Sequence, residues 1–253
     1  MTPAELATRT EVLRCLVGST VHGLAVEGQD DRDEMGVCIE PPEYVIGLRH
    51  FEQHVFRTQP EGVRSGPGDI DRTIYSLRKY CRLAANGNPT VLLLLFSPEV
   101  IVDVPPVGRM LRDLAPAFAS RRAGQAFLGY LRAQRQRLTG ERGGRHGTPR
   151  PDMVSRYGYD VKYAMHMLRL GHQGREYLAT GRVSLPIPEP VRAHLRAVRA
   201  GDVTYDDVLV EAGELERELQ DLLDHSPLPE EPDRAAIDRF LIAAYVTGWN
   251  WDV

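Results

Sequence analysis

The stretch Asp31-Arg32-Asp33-Glu34-Met35-Gly36-Val37-Cys38-Ile39 decides how the first part of this chain must fold, and Gly18-Ser19-Thr20 precedes it. The apolar end of the stretch, Gly36–Ile39, predicts a buried strand that begins just after two aspartates. Side chains at i and i+2 of a strand point to the same face, so we expect Asp31 and Asp33 to lie together. Carboxylate oxygens are the ligands that Mg²⁺ and Mn²⁺ prefer, and the pattern therefore predicts a divalent-metal site.

The Gly-Ser pair before these aspartates indicates that the same site also binds phosphate. Gly18 lets the backbone approach a phosphate closely, and the Ser19 hydroxyl with neighbouring N–H groups can donate hydrogen bonds to phosphate oxygens. Divalent ions shared between carboxylates and a triphosphate stabilise in-line displacement at phosphorus. Each element alone also fits a solvated loop, but their order and spacing favour a joint phosphate- and metal-binding site.

Gly18-Ser19 together with Asp31-x-Asp33 resembles the nucleotidyltransferase signature of the DNA polymerase beta superfamily. The fuller pattern resembles the predicted nucleotidyltransferases that are associated with RNA repair. This resemblance runs from about residue 13 to residue 240. Four further blocks support it: Asp71-x-Thr73-Ile74-Tyr75-Ser76-Leu77-Arg78-Lys79, Gly87-Asn88-Pro89-Thr90, Lys162–Leu170 and the tail Ser226–Asp233.

The resemblance implies an α+β fold with two lobes. Residues 1–105 would form a nucleotidyltransferase catalytic lobe around a small mixed sheet, and residues 106–253 an all-helical lobe that completes the active cleft. Within the first lobe the residue pattern predicts strands near 13–17, 35–40, 44–47 and 53–57 and a helix over 73–85. Beyond it the pattern predicts helices and no strand, near 106–114, 118–139, 154–180, 189–200, 204–225 and 233–247.

The resemblance also implies roles for individual residues. Asp31 and Asp33 would hold two Mg²⁺ (or Mn²⁺) ions, with Asp71 as the third metal-binding and catalytic carboxylate. Gly18 and Ser19 would bind the β- and γ-phosphates of an NTP such as ATP. The implied reaction moves an NMP from the NTP to a hydroxyl acceptor and releases pyrophosphate.

Two positions leave alternatives open. The residues alone fit Asp71 equally well as an acid that stabilises a helix N-terminus, and Asp69 is the other candidate for the third carboxylate. In the family pattern a Glu commonly follows the Asn-Pro pair, where this chain has Leu92-Leu93-Leu94-Leu95. Because all three metal-type aspartates are present, we do not interpret this departure as a loss of activity.

Lysine is rare in this chain, which makes its positions informative. Of 31 Lys and Arg residues, only Lys79 and Lys162 are lysines. A compact point charge on a flexible stem suits a phosphate in a way that the planar guanidinium of arginine does not. We therefore predict both lysines as phosphate-binding residues, although chance placement would also explain two positions.

Lys162 belongs to a cationic stripe on a predicted helix. Lys162, His166 and Arg169 recur at i, i+4 and i+7, so they share one face among apolar neighbours. We predict that all three bind phosphate, since unpaired charge on a buried helix is unfavourable. The alternative is that the stripe pairs with an acid such as Asp160 or Glu176.

A second cationic segment runs from Arg132 to Arg150. It contains six arginines and His146, and Glu141 is the one acid that opposes them. Its glycine-rich part, Gly140–Gly147, predicts a loop. That loop is either simply solvated or a phosphate clamp that orders when a substrate binds.

The composition limits which cellular compartments and which classes of partner we expect for this protein. The chain has 253 residues, a net charge of −4 and 42% hydrophobic residues, which is typical of a globular protein without an overall field that favours nucleic acid. No apolar run reaches the roughly 18 residues of a membrane span, and the N-terminus shows no secretory signal. Cys15, Cys38 and Cys81 form no Cys-x-x-Cys pair, which favours reduced thiols in the cytoplasm.

We expect an NTP as one substrate and an RNA 3′ end as the acceptor. The association of the family with RNA repair and the arginines of 132–150 favour RNA. Nucleotidylation of a small molecule or a protein side chain is the alternative, as is a non-catalytic nucleotide-binding regulatory module. The presence of all three aspartates argues against the last of these.

Overall fold

The computed structural model describes residues 1–26, 28, 30–60, 62–63, 65–141 and 149–250. The chain forms two compact units, of which the first comprises Met1–Ala85, Thr90–Phe118 and Pro232–Val253. The second comprises Asn86–Pro89 and Ala119–Glu231. We expected a division at residue 105, whereas these units divide after Phe118 and the C-terminal segment belongs to the first.

The first unit contains a mixed five-stranded sheet. Its strands are β1 (Glu11–Leu16), β2 (Arg32–Cys38), β3 (Gln53–Arg57), β4 (Ile70–Ser76) and β5 (Val100–Asp103). They lie in the order β3-β4-β2-β1-β5. Strands β2 and β4 are parallel, and every other neighbouring pair is antiparallel.

The described residues form thirteen helices: α1 (Pro3–Arg9), α2 (Gly18–His22), α3 (Pro42–Val45), α4 (Leu77–Ala85), α5 (Pro89–Phe96), α6 (Val107–Asp113), α7 (Ala115–Phe118), α8 (Arg121–Leu138), α9 (Pro151–Tyr157), α10 (Val161–Thr180), α11 (Val191–Ala200), α12 (Tyr205–His225) and α13 (Arg234–Trp249). Helices α8 to α12 belong to the second unit. With the mixed sheet, they confirm the predicted α+β class. No helix of the described part of the chain combines the length and the apolar character that a membrane span requires.

Two predicted elements of the first unit are wrong. The helix expected over 73–85 begins only at Leu77, because the residues before it form the end of β4. Thr73, Ile74 and Tyr75 are β-branched or aromatic and pair residue by residue with β2, which outweighs their local helical pattern. The strand expected near 44–47 is instead helix α3, where a proline at the first helical position favours the turn.

The leucine run that departs from the family pattern lies in the core of the first unit. Leu92–Leu95 form half of helix α5, and none of them is more than 4% exposed. Leu13 of β1 and Val37 of β2 are fully buried in the same unit. A glutamate among such apolar neighbours would require a partner for its charge, so leucine at these positions fits the packing.

The second unit is built on three long helices, α8, α10 and α12. A Cβ atom at Gly171 of α10 would lie 2.7 Å from a methyl group of Leu215 on α12 and 2.9 Å from a methyl group of Leu131 on α8. Glycine therefore permits the close approach of all three helices. The predicted segment 154–180 is divided into α9 and α10, because Asp160 caps a new helix by accepting hydrogen bonds from the backbone N–H groups of Lys162 and Tyr163.

Candidate active site

The pairing of β2 with β4 brings the predicted aspartates together. Asp33 in β2 and Asp71 in β4 lie opposite each other in the parallel register, and Asp31 directly precedes β2. One carboxylate oxygen from each of the three lies within 4.8 Å of the other two. All three side chains are partly buried.

This cluster is suited to a hard divalent cation. It offers carboxylate oxygens alone, without the imidazole or thiolate ligands that zinc prefers. Three negative charges this close also repel one another, and a cation between them would offset that repulsion.

Two hydrogen bonds and one ion pair hold Asp71. The Gln59 side-chain amide donates to its Oδ1 over 2.9 Å, and the Ser65 hydroxyl donates to its Oδ2, also over 2.9 Å. The Arg57 guanidinium lies 3.5 Å from the same Oδ2. Our sequence analysis missed all three residues. Recognition of β4 would have identified Arg57, which pairs with Asp71 across β3 and β4, but no periodic pattern marks Gln59 or Ser65.

Gly18 lies directly against Asp33. Its φ of +66° is in the left-handed region, and a Cβ atom here would lie only 1.9 Å from Asp33 Oδ2. The backbone N–H of Val17 donates to the Asp33 carbonyl over 3.0 Å, which fixes the turn next to the strand. Gly18 and Ser19 begin α2, so the structure brings the predicted phosphate-binding turn beside the aspartates.

Asp69, the alternative third carboxylate, has a different role. It accepts hydrogen bonds from the Gly66 backbone N–H and the Thr58 hydroxyl, and these hold its pKa below the ordinary value. Asp69 therefore orders the turn that precedes β4 and is not part of the aspartate cluster.

Strand β2 carries a second group of charges around Glu34. The Glu34 carboxylate forms ion pairs of 2.7–2.8 Å with Arg14, Arg32 and Arg72. Burial alone would raise its pKa, but the hydrogen bonds from Arg72 and Arg32 hold the pKa below the ordinary value. The charge of Glu34 is thus balanced by its own partners and does not add to the negative cluster.

The pattern of the RNA repair pathway DNA polymerase beta family (RlaP) matches residues 5–243, nearly the whole chain. The chain belongs to this family. The family resemblance of the sequence is thereby confirmed.

Two individual proteins are similar to this RlaP-family chain. A 38.9 kDa protein from the nrdC–mobD intergenic region of Enterobacteria phage T4 is 29% identical over 128 residues, which is 49% of this chain and 37% of the phage protein. A nucleotidyltransferase-like protein from Exiguobacterium sibiricum 255-15 matches 98% of this chain and 74% of its own, at 14% identity and a TM-score of 0.32. At that score the second likeness carries no argument about the site.

Lys79 of this RlaP-family chain lies away from the aspartates. Its ammonium is 2.8 Å from Glu52, and Arg82 binds the other oxygen of the same carboxylate. These hydrogen bonds hold the pKa of Glu52 at about 2. Asp71 lies near the start of β4, whereas Lys79 lies in α4, which follows the end of that strand. Five residues at about 3.3 Å each separate Asp71 from the end of β4 by roughly 16 Å.

The cationic stripe lies on α10, in the second unit. Lys162 is exposed, whereas Arg169 is buried and donates to Gln173 over 2.8 Å and to His166 Nδ1 over 3.0 Å. Burial and the nearby charges of Arg169, Arg137 and Lys162 hold the pKa of His166 well below the ordinary value, so its ring accepts this bond while neutral.

Both acids that we considered as partners of the stripe have partners elsewhere. Asp160 binds the Arg150 guanidinium over 2.6 Å, and Glu176 accepts hydrogen bonds from the backbone and hydroxyl of Ser184. Lys162, His166 and Arg169 therefore stay predicted phosphate-binding residues.

The arginines of 132–150 are only partly within the described residues. Arg132 and Arg135 lie on α8 and pair with Glu216 at 3.6 and 3.1 Å. Arg150 pairs with Asp160. The centre of the predicted loop, residues 142–148, lies outside the described residues.

Proposed function

We propose that the protein transfers an NMP from an NTP to a hydroxyl acceptor by two-metal-ion catalysis, with ATP among the donors. The observation that carries this proposal is the convergence of Asp31, Asp33 and Asp71 in a chain of the RlaP family. In the proposed reaction the acceptor oxygen forms a bond to the α-phosphorus. The bond from that phosphorus to the bridging oxygen of pyrophosphate breaks, and the acceptor proton passes to a base.

In this proposal the aspartates bind the metal ions, and the Gly-Ser turn binds the phosphates. Asp31, Asp33 and Asp71 would hold two Mg²⁺ (or Mn²⁺) ions, which supply Lewis-acid activation of the hydroxyl and charge neutralisation at the phosphates. Asp71 would also serve as the base that accepts the acceptor proton. Gly18 and Ser19 would bind the β- and γ-phosphates, because their backbone N–H groups and the Ser19 hydroxyl are suitable donors beside Asp33.

We propose an RNA 3′ end as the acceptor and the cytoplasm as the compartment. The name of the family places its members in RNA repair, which supports RNA. Cys15, Cys38 and Cys81 are all buried free thiols, which supports a reducing compartment. Lys162, His166 and Arg169 are the proposed additional phosphate ligands.

The deciding experiment incubates the protein with each α-labelled NTP, Mg²⁺ and an RNA oligonucleotide, with and without a free 3′ hydroxyl. We expect label in the RNA only when the 3′ hydroxyl is free. Transfer to a small molecule or to protein in place of RNA would refute the proposed acceptor, and no transfer to any acceptor would refute the proposed reaction.

Asp33→Asn tests the catalytic role directly. We expect it to abolish transfer while leaving the melting temperature at or above that of the wild type, because removal of one charge relieves repulsion in the cluster. Asp113→Asn is the matched control, since Asp113 is an exposed residue of α6 that pairs loosely with Arg109 at 3.9 Å. A large drop in melting temperature for Asp33→Asn would indicate a structural role instead.

A further inference from the structure

We propose that Gln59 and Ser65, assisted by Arg57, fix the Asp71 carboxylate in the orientation that binds the metal. The three act as positioning residues, since each touches the Asp71 carboxylate. This inference rests on the proposed function, in which Asp71 is a metal ligand. It assigns a role to Gln59 and Ser65, which lie between β3 and β4 in the sequence.

The two carboxylate oxygens of Asp71 have different hydrogen-bond donors. Gln59 Nε2 donates to Oδ1 and Ser65 Oγ donates to Oδ2, each over 2.9 Å. Gln59 also donates to Ser65 Oγ, so the two donors are joined to each other. Gln59 is only 9% exposed, which shields its amide from water and strengthens the bond.

Arg57 contributes less than the other two. It lies 3.5 Å from Asp71 Oδ2, but its side chain is 52% exposed, so solvent screens the pair. We therefore place the main effect on Gln59 and Ser65.

A fixed Asp71 matters because of the charge around it. A carboxylate has about four acceptor positions, so the two hydrogen bonds prevent free rotation and still leave it room to bind a cation. Without such donors, repulsion from Asp31 and Asp33 would turn the Asp71 side chain away, and metal binding would have to overcome that rearrangement. Groups that orient metal ligands typically change metal affinity about 10- to 100-fold when they are removed.

The fold places these donors through the outer strand of the sheet. Arg57 at the end of β3 pairs with Asp71 in the antiparallel register, and the Thr58 backbone N–H donates to the Ile70 carbonyl over 3.2 Å. Asp69 then binds both Thr58 and Gly66, which holds the two ends of the turn between them. Gln59 and Ser65 are thereby positioned by β3 and Asp69, independently of any metal.

The test measures Mn²⁺ binding to the whole protein by electron paramagnetic resonance, without nucleotide. We expect Gln59→Leu, which keeps the side-chain size and removes the donor, to weaken Mn²⁺ binding about tenfold or more. Gln53→Leu is the matched control, because Gln53 is exposed at the opposite end of β3 and should leave the affinity unchanged. Ser65→Ala should weaken binding as well, and Ser65→Thr, which keeps a hydroxyl, should restore most of it.

A double-mutant cycle shows whether the effect passes through Asp71. In an Asp71→Ala background we expect Gln59→Leu to have no further effect on Mn²⁺ affinity, which a merely structural role would not produce. If wild type binds Mn²⁺ and the Gln59 and Ser65 variants bind it equally well, the inference is wrong while the metal site stands. An equal loss with and without Asp71 would also overturn it.

Two further outcomes are decided in the same experiment. Absence of Mn²⁺ binding by the wild type would overturn the proposed metal site and this inference together. If Gln59→Leu does not fold, the contrast between Ser65→Ala and Ser65→Thr decides, and equal affinities for those two variants would contradict the inference.

Discussion

The two lysines differ in what surrounds them, and this difference determines how each should respond to replacement by arginine. Lys79 is bound to Glu52 and lies over the ring of Tyr75, with 17% of its side chain exposed. Lys162 is exposed at the first turn of α10, on the face that also carries His166. Lys79 thus has a complete structural explanation, whereas the position of Lys162 is explained by our predicted phosphate contact.

We expect Lys162→Arg to lower kcat/KM for the NTP at least about tenfold, equivalent to roughly 1.4 kcal/mol of transition-state stabilisation. Arginine keeps the charge, but its planar fork does not reproduce a point charge at a phosphate. Lys79→Arg is the control and should be nearly silent, because a guanidinium can also bind Glu52. Steady-state kinetics at saturating Mg²⁺ check both variants. Wild-type kinetics for Lys162→Arg would show that the scarcity of lysine has no functional meaning.

Whether a site residue can be predicted from the sequence depends on how far along the chain its partners lie. Asp31 and Asp33 could be predicted because their relation depends only on the alternation of side chains in one strand. The family resemblance implied that Asp71 is the third carboxylate, but the pairing of β2 with β4 that brings it beside the other two was not predicted. Gln59 was not predictable, because its contact with Asp71 depends on how a turn folds back.

Among helices and strands too, the predictions are correct where local periodicity decides the structure and wrong where contacts distant in the sequence decide it. Helices of the second unit were predictable, since their apolar periodicity is long and each buries one face. Residues 73–76 were assigned to a helix because β4 is half-buried and α4 follows it directly, so the two patterns merge. Pairing with β2 and β3 on both sides decides the strand, and such long-range contacts leave no periodic signal.

Glu211 joins three helices of the second unit. Its two carboxylate oxygens lie 2.9 Å from His172 Nε2 on α10 and 2.6 Å from His194 Nε2 on α11, while Glu211 itself belongs to α12. Burial would raise the pKa of Glu211, but the hydrogen bonds with His172 and His194 hold it below the ordinary value. The charged carboxylate is therefore the form that stabilises these helix contacts.

We expect Glu211→Gln to lower the free energy of unfolding of the protein by about 1–3 kcal/mol at neutral pH. Since the folded pKa is lowered, this stabilisation is complete above the ordinary value of 4.5 and is lost as the pH falls below it. The difference between wild type and variant should therefore shrink between pH 5 and pH 3 (about one to two units around that value). Urea unfolding at a series of pH values measures it.

Glu218→Gln provides the control on the same helix. Glu218 pairs with Arg175 at 3.1 Å, but both side chains are more than two-fifths exposed, so we expect a change of no more than about 1 kcal/mol. A difference between wild type and Glu211→Gln that grows in acid would contradict the assigned role of the carboxylate.

At the scale of the whole molecule, the chain leaves the first unit and returns to it through α13. The Tyr245 hydroxyl donates to Glu40 Oε2 over 2.7 Å, and the Trp249 indole N–H donates to the Glu40 carbonyl over 2.7 Å. Glu40 follows β2 and is only 2% exposed. These contacts explain why the first unit includes Pro232–Val253, which a boundary drawn along the sequence assigned to the helical lobe.

The last prediction concerns this return of the chain. Burial raises the pKa of Glu40, and the Tyr245 hydroxyl is the leading group that opposes the rise. Tyr245→Phe removes that donor from a buried carboxylate, so we expect a loss of about 1–3 kcal/mol in the free energy of unfolding at pH 7. Because a raised folded pKa means that the folded state takes up a proton first, acidification towards the pKa of Glu40 neutralises the carboxylate and should reduce the loss.

Hydrogen exchange of β2 and α13, at pH 7 and again at a pH close to the pKa of Glu40, measures this loss of stability at both pH values. Tyr130→Phe is the control, because it removes the hydroxyl of an exposed tyrosine in the second unit. Equal losses at both pH values would show that Tyr245 stabilises the first unit by packing and not through the charge of Glu40.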